Sequence, residues 1–374
     1  MGFRSGPLEG LVMFQDVFRG RRVLVTGHTG FKGSWLARWL LELGAEVTGL
    51  ALAPDTTPSL FTLLGLKDRI RHHEVDVRDA QGLRRVVQDS RPEIVLHLAA
   101  QALVRLSYRE PKATWDVNVG GTVNLLEAIR QTGGVRVCVV VTSDKCYDNR
   151  EQVWGYRECD PMGGHDPYSS SKGATELAVA SWRRSFFSGP SGTRIASARA
   201  GNVIGGGDWS SDRIVVDFIR TITSGQPLVL RNPGATRPWQ HVLEPLSGYL
   251  ALAERLLREE GQEAADGWNF GPADDSIVTV ETLAQSLVAA WGAGEVQVRR
   301  ESDQPHEAGL LKLDCSKARA RLGWHGVWDF AETVRHTVGW YRGLHLGIDA
   351  ERLTRDQIAA YETAATKALL PWAV

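Results

Sequence analysis

"RVLVTGHTGFKG", Arg22 to Gly33, decides the fold. Arg22 to Gly27 is a short apolar run suited to a buried strand. Phe31 to Gly44, "FKGSWLARWLLELG", then places apolar residues at helical spacing, with Gly44 to end the helix. Between them Gly27, Gly30 and Gly33 stand in a GxxGxxG spacing. Glycines there let the backbone turn tightly and approach a pyrophosphate, which rests on the helix N-terminus where free N–H groups and the dipole favour negative charge. A glycine triplet alone often only closes a loop. Its place between first strand and first helix makes Gly27, Thr29, Gly30, Phe31, Lys32 and Gly33 candidate cofactor-contacting positions. The side chains of His28 and Lys32 themselves read as structural or solvent-facing.

Outward from this turn the same rhythm repeats. Strands are predicted at Glu46 to Leu52, Ile70 to Val77, Glu93 to Ala100 and Val135 to Ser143, with helices over Asp79 to Ser90 and Trp115 to Thr132. Such alternation implies βαβ units, and so an α/β, doubly wound parallel sheet of Rossmann type with helices on both faces. After Ser171 a helix runs to about Phe187, and Thr193 to Gly205 restarts a strand. Beyond it "GGGDW", "RNPGATRPWQHV", "NFGPADD" and "ESDQPHEAG" are loop signals. The chain therefore divides into a leader (1–21, with Met13 a natural start), a dinucleotide-binding lobe (22–198), and a smaller C-terminal substrate lobe (199–374) some of whose segments return to the first.

Composition narrows the partners. The 374 residues are 43% hydrophobic and carry a formal net charge of −1, with no long one-sign run to meet nucleic acid or a membrane surface. The four cysteines lack metal spacing, no apolar run has the length of a transmembrane helix, and a reducing cytoplasm is the expected location. The thirteen tryptophans are expected in core and interface positions, with Trp209 and Trp239 candidates to line a ligand site.

Asp76 and Val77, ending the third strand, are placed to meet an adenine edge, and Leu98, Ala99 and Ala100 end the fourth. The second strand ends in "LALAP", without the acid that usually holds a ribose 2′-hydroxyl and without an arginine for a 2′-phosphate, which favours NAD over NADP.

Two further stretches carry chemistry. "YSSSK" puts Tyr168 and Lys172 four residues apart on one face of a helix, where a lysine favours the phenolate and makes a base for a hydroxyl proton. "VVVTSDKCYDN", Val139 to Asn149, ends a strand in Thr142, Ser143, Asp144 and Lys145, polar groups that packing seldom needs there.

With these motifs quoted, the chain resembles the extended short-chain dehydrogenase/reductase family over nearly its whole length. GxxGxxG, "HLAAQ" (His97 to Gln101), "DVNVGGTVNLLEA" (Asp116 to Ala128), YxxxK and "ARAGNVIG" (Ala198 to Gly205) occur in the family's order. "VTGHTGFKGSWL", "TSDKCYDN", "PMGGHDPYSSSKGATEL" and "GNVIGGGDW" look like the CDP-glucose 4,6-dehydratases within it. The resemblance implies a bound NAD, a C-terminal nucleotide-sugar lobe, and a homo-oligomer, either a dimer or dimers paired into a tetramer. It implies a hydro-lyase of deoxysugar and lipopolysaccharide O-antigen biosynthesis that converts CDP-glucose to CDP-4-keto-6-deoxy-glucose. Tyr168, assisted by Lys172, would take the C4-hydroxyl proton; Ser143 or Thr142 would hydrogen-bond the C4 oxygen and the tyrosine. Asp144 would be the acid for the departing C6 hydroxyl, and Lys145 the C5 base. The dTDP-glucose enzymes carry Asp-Glu where this sequence has Asp144-Lys145. A lysine is a base only when neutral, and an ordinary pKa of about 10.4 would need lowering by desolvation or a nearby cation.

The diphosphate must be met by local cations: Arg213, Arg231 and Arg237, each in or beside a turn-rich segment, are the candidates. By the resemblance Asn202 reaches the diphosphate or sugar, while His241, His306 and Glu307 are weaker candidates. Two alternatives stay open: another nucleotide-sugar dehydratase or 4-epimerase on the same scaffold, and a non-enzymatic dinucleotide sensor. An epimerase has no need of an acid/base pair to expel water, and a sensor could lose Tyr168 or Lys172.

Overall fold

A computed structural model describes residues 12–189, 192–299 and 309–374. Its centre is a seven-stranded sheet. The strands β1 (Arg22–Thr26), β2 (Glu46–Ala51), β3 (Arg71–Glu74), β4 (Ile94–His97), β5 (Val137–Val141) and β6 (Arg194–Arg199) lie in the order 3-2-1-4-5-6, all parallel. The order reverses between β1 and β4, and that crevice at the carboxyl ends of the strands is where open α/β sheets bind ligands. Helices Phe31–Glu42, Ala80–Ser90, Gly121–Thr132 and Pro167–Phe186 make the crossovers.

The sheet is buried on both faces, which is why its strands read as continuous apolar runs. Alternate residues enter opposite cores: Val23 and Val25 join one cluster and Leu24 the other, and likewise Val137, Val139 and Val141 against Cys138 and Val140. Six tryptophans, among them Trp35, Trp39 and Trp372, are buried almost completely.

The predicted strand from Thr193 to Gly205 is two strands. After β6 the chain breaks at Gly201 and Asn202, the latter at φ 39°, and resumes as β7 (Val203–Ile204) in another sheet. The left-handed turn redirects the chain out of the main sheet and over the carboxyl ends of the strands. Three small two-stranded sheets follow from the loop-rich part: β7 pairs with β10 (Gln240–His241), β8 (Leu228–Leu230) with β13 (Val296–Val298), and β9 (Thr236–Pro238) with β12 (Ile277–Thr279). The remaining strand, β11 (Gly267–Asn269), pairs parallel to β6 and extends the main sheet.

The segment expected to be a leader is packed from residue 13 onward. Phe14 is fully buried, stacks on Trp372 and meets Trp39 edge-on, and its N–H donates to the Trp372 carbonyl at 2.5 Å; Phe18 is buried beside it. Among the described residues no helix is long and apolar enough to cross a membrane.

Candidate active site

A cleft of about 550 Å³ opens along the carboxyl ends of β1, β2, β4, β5 and β6. Its floor at one end is the glycine turn. Gly27 sits at φ 74°, and a Cβ there would stand 2.7 Å from the Ala99 nitrogen; a Cβ on Gly33 would stand 2.1 Å from the Gly27 carbonyl oxygen. Gly30 leads into the Phe31–Glu42 helix without any side-chain cap, so the first N–H groups of that helix are left for a ligand. This is the cradle a pyrophosphate needs, and the residue types fit a dinucleotide. Thr29, Phe31, Lys32, Asp76, Val77, Leu98, Ala99 and Ala100 all line the same cleft. Asp76 is paired with Arg78 at 2.6 Å, and that hydrogen bond holds its carboxyl below the usual range. Asp55, the residue next after "LALAP", also lines the cleft, so a carboxylate stands just past the end of β2 where none was read in the strand.

At the other end β5 delivers Thr142, Ser143, Asp144 and Lys145, and the Pro167–Phe186 helix delivers Tyr168 and Lys172. That helix starts where Asp166 accepts the Ser169 N–H and Pro167 takes the first turn. Ser143 Oγ donates to Asp144 Oδ1 at 3.0 Å, and the same hydroxyl acts to lower the Tyr168 phenol. Thr142 faces the other way, as alternate residues of an extended chain do: its hydroxyl donates to Glu176 Oε1. Both residues line the cleft, but the Thr142 hydroxyl is taken by Glu176, while Ser143 Oγ stands beside Asp144.

Asp144 is buried, and its Oδ2 has no hydrogen-bond partner. Burial pushes the Tyr168 phenol up to about 12, with the Ser143 hydrogen bond and the Arg213 charge working against it. The lowering expected from Lys172 does not prevail in this state. Burial brings Lys172 itself down to about 8, opposed by Glu176 and Cys146; its Nζ donates to the Val141 carbonyl at 3.5 Å.

Lys32 is half-buried in the cleft lining: its Nζ lies 3.4 Å from the Tyr249 hydroxyl, and burial with the charges of Arg213 and Lys172 brings it down to about 7 against the pull of Asp144. A basic residue among glycines was the signal available. His28 is fully buried, 2.7 Å from His72 and edge-on to Phe61.

Asn202, Arg213 and Trp209 line the cleft. Arg231, after β8, and Arg237, on β9, lie outside that lining, and His306 and Glu307 lie outside the described residues. Trp239 and His241 are core residues, His241 packing against Trp35 and Trp328. Two residues were not singled out from the sequence: Gly201, where a Cβ would stand 1.9 Å from Asp144 Oδ2, and Glu176, one turn beyond Lys172.

A doubly wound sheet with a glycine cradle at one end of its cleft and a serine, tyrosine and lysine at the other defines an extended short-chain dehydrogenase/reductase. The family model described as GDP-mannose 4,6 dehydratase matches residues 24–337, and the chain belongs to that family. It is 50% identical over 357 residues, 94% of this chain and 99% of the relative, to a CDP-glucose 4,6-dehydratase of Salmonella typhimurium (strain LT2). Among solved structures, the dTDP-glucose 4,6-dehydratase DesIV of Streptomyces venezuelae with NAD bound superposes with a TM-score of 0.75 at 25% identity, covering 89% of this chain and 99% of that one. A UDP-glucose 4-epimerase of Thermus thermophilus in complex with NAD gives 0.74 at 29%, covering 86% and 99%.

Proposed function

We propose that this chain is an NAD-dependent CDP-glucose 4,6-dehydratase, a hydro-lyase that removes water from CDP-glucose to give CDP-4-keto-6-deoxy-glucose. The observation that carries the reading is the 50% identity, over nearly the whole of both chains, to the Salmonella enzyme of that name. NAD, when bound, supplies the hydride acceptor for C4 and the hydride source for C6, which keeps the cycle redox-neutral.

The residues have separate tasks. Tyr168 accepts the C4-hydroxyl proton. Ser143, whose hydroxyl acts to lower the phenol, orients it, and the Lys172 ammonium stabilises the phenolate. Once C4 is a ketone the C5 proton is acidic. Lys145, lining the cleft beside Asp144, removes it, while Asp144 donates a proton to the departing C6 hydroxyl through the oxygen left unpartnered in the fold. Arg213 and Asn202, which line the cleft, meet the diphosphate or sugar, and Arg231, Arg237 and His306 stay candidates for the same ligand. We also expect a homo-oligomer: Tyr108, Trp115 and Leu177 stay exposed on neighbouring helices and offer an apolar face to a second copy.

The test is incubation of the purified protein with CDP-, dTDP-, GDP- and UDP-glucose, with and without added NAD+, reading product mass. Loss of one water from CDP-glucose alone is expected. Loss of water from none of the four sinks the reading.

A further inference from the structure

Behind the tyrosine and lysine lies a buried polar network that none of the roles above uses. Glu176 is four residues beyond Lys172 on the same helix face, and its side chain is 4% exposed. Oε1 accepts from the Thr142 hydroxyl at the end of β5. Oε2 accepts from Ser197 Oγ at 2.6 Å and from Arg199 Nη2 at 2.8 Å, both on β6. Arg199 Nη1 in turn donates to the Tyr147 hydroxyl at 2.6 Å, and that hydroxyl donates to Asn269 Oδ1 on β11 at 2.7 Å. One carboxylate therefore joins the Tyr168–Lys172 helix to β5 and β6, and through Arg199 to β11, at the level where Ser143 and Asp144 leave the sheet.

A buried carboxylate–guanidinium pair is weak evidence for stability, because desolvating two charges offsets most of their attraction. Its position relative to Lys172 suggests another use. We propose that Glu176 is a positioning residue of the oxidation step: it holds Thr142, and with it the turn carrying Ser143 and Asp144, against the catalytic helix, and it sets a carboxylate one helical turn from Lys172. The inference rests on the function proposed above for its kinetic readout, though not for its direct one.

The groups around Lys172 support this. Burial pushes the Cys146 thiol, on the turn after β5, far up, and pulls His97, on β4, down to about 3, so both are neutral at working pH. Lys32, on the Phe31–Glu42 helix, acts as a like charge, and Tyr168 is a neutral phenol. Burial would raise the Glu176 carboxyl, but Arg199, Ser197 and Thr142 bring it below its ordinary value, so it is ionised and favours the charged amine.

The experiment compares wild type, Glu176→Gln, and the double variant Glu176→Gln/Arg199→Met. The double variant leaves no unpaired buried charge and so keeps the fold where the single change fails. C4 oxidation is read in a single turnover of the NAD-loaded protein by nicotinamide absorbance across pH. A carbon-13 NMR titration of the lysine ε-carbons reads Lys172 directly, whatever the protein turns over. We expect the alkaline limb of oxidation and the Lys172 titration to move together about one pH unit lower in the variants, the low end of the range for an opposite charge nearby. KM should change far less than kcat. An unmoved Lys172 titration overturns the inference, as does an unmoved limb in an active enzyme. Failure of both variants to fold overturns it too, since the pair would then be structural. A wild type inert toward every nucleotide sugar defeats the proposed function alone and leaves the NMR titration to decide Glu176.

Discussion

Asp144 lies directly over Gly201: a Cβ on residue 201 would stand 1.9 Å from Asp144 Oδ2 and 2.2 Å from its Cγ. Gly201→Ala must therefore displace the carboxylate or the chain between β6 and β7. If Asp144 is the acid for the C6 hydroxyl, the change should lower dehydration by roughly 10²–10⁴-fold, the range of a lost general acid, and leave substrate binding largely intact. Product formation and substrate affinity measured on the same preparation check this. Unchanged turnover would mean that Asp144 oxygen placement is not critical.

Tyr168→Phe removes one hydroxyl from a residue whose ring is already buried. The fold should persist, and both oxidation and water loss should stop, because elimination waits for the C4 ketone. A variant that still reduces NAD+ at more than about one-hundredth of the wild-type rate would move the base elsewhere.

The outcomes also show how far the sequence reaches. The β1 turn and the YxxxK pair were legible because backbone sterics and helical spacing act between near neighbours. The break at Gly201 and Asn202 falls inside the predicted strand, and the reason residue 201 must be glycine, the Asp144 carboxylate arriving from the end of β5, lies far away in the chain. Sequence alone leaves Thr142 and Ser143 as alternatives, because the bond that distinguishes them, Thr142 to Glu176, is a contact between a strand end and a helix. Sequence alone leaves the Lys32 side chain structural or solvent-facing, because its partner Tyr249 comes from the distant Leu243–Leu257 helix. Contacts across elements carry no local pattern.

Lys145→Ala separates the two halves of the reaction. Lys145 lines the cleft next to Asp144, and what ties it to Ser143 Oγ, at 3.2 Å, is its backbone N–H, which the substitution keeps. C4 oxidation should stay within about threefold of wild type, while loss of water falls roughly 10²-fold or more. In a single turnover reduced nicotinamide should then accumulate. Equal loss of both steps would remove the assignment of Lys145 as the C5 base.

His97 sets a pH limit on stability. Its imidazole is held in the core between Thr26 Oγ1 at 2.6 Å and Thr122 Oγ1 at 3.1 Å, and burial, with the Lys172 charge, pulls it down to about 3. Because the folded value is depressed, the unfolded chain binds this proton first as pH falls. The contribution is therefore fully present above the unfolded value near 6.5, and is lost progressively as pH falls toward 3. Between pH 7 and pH 5 this one group should cost about 2 kcal/mol of stability. Urea unfolding at the two pH values should show that loss in the wild type, and His97→Asn, which does not titrate, should lose correspondingly less. Equal pH dependence in both proteins would mean that the imidazole takes up its proton without unfolding.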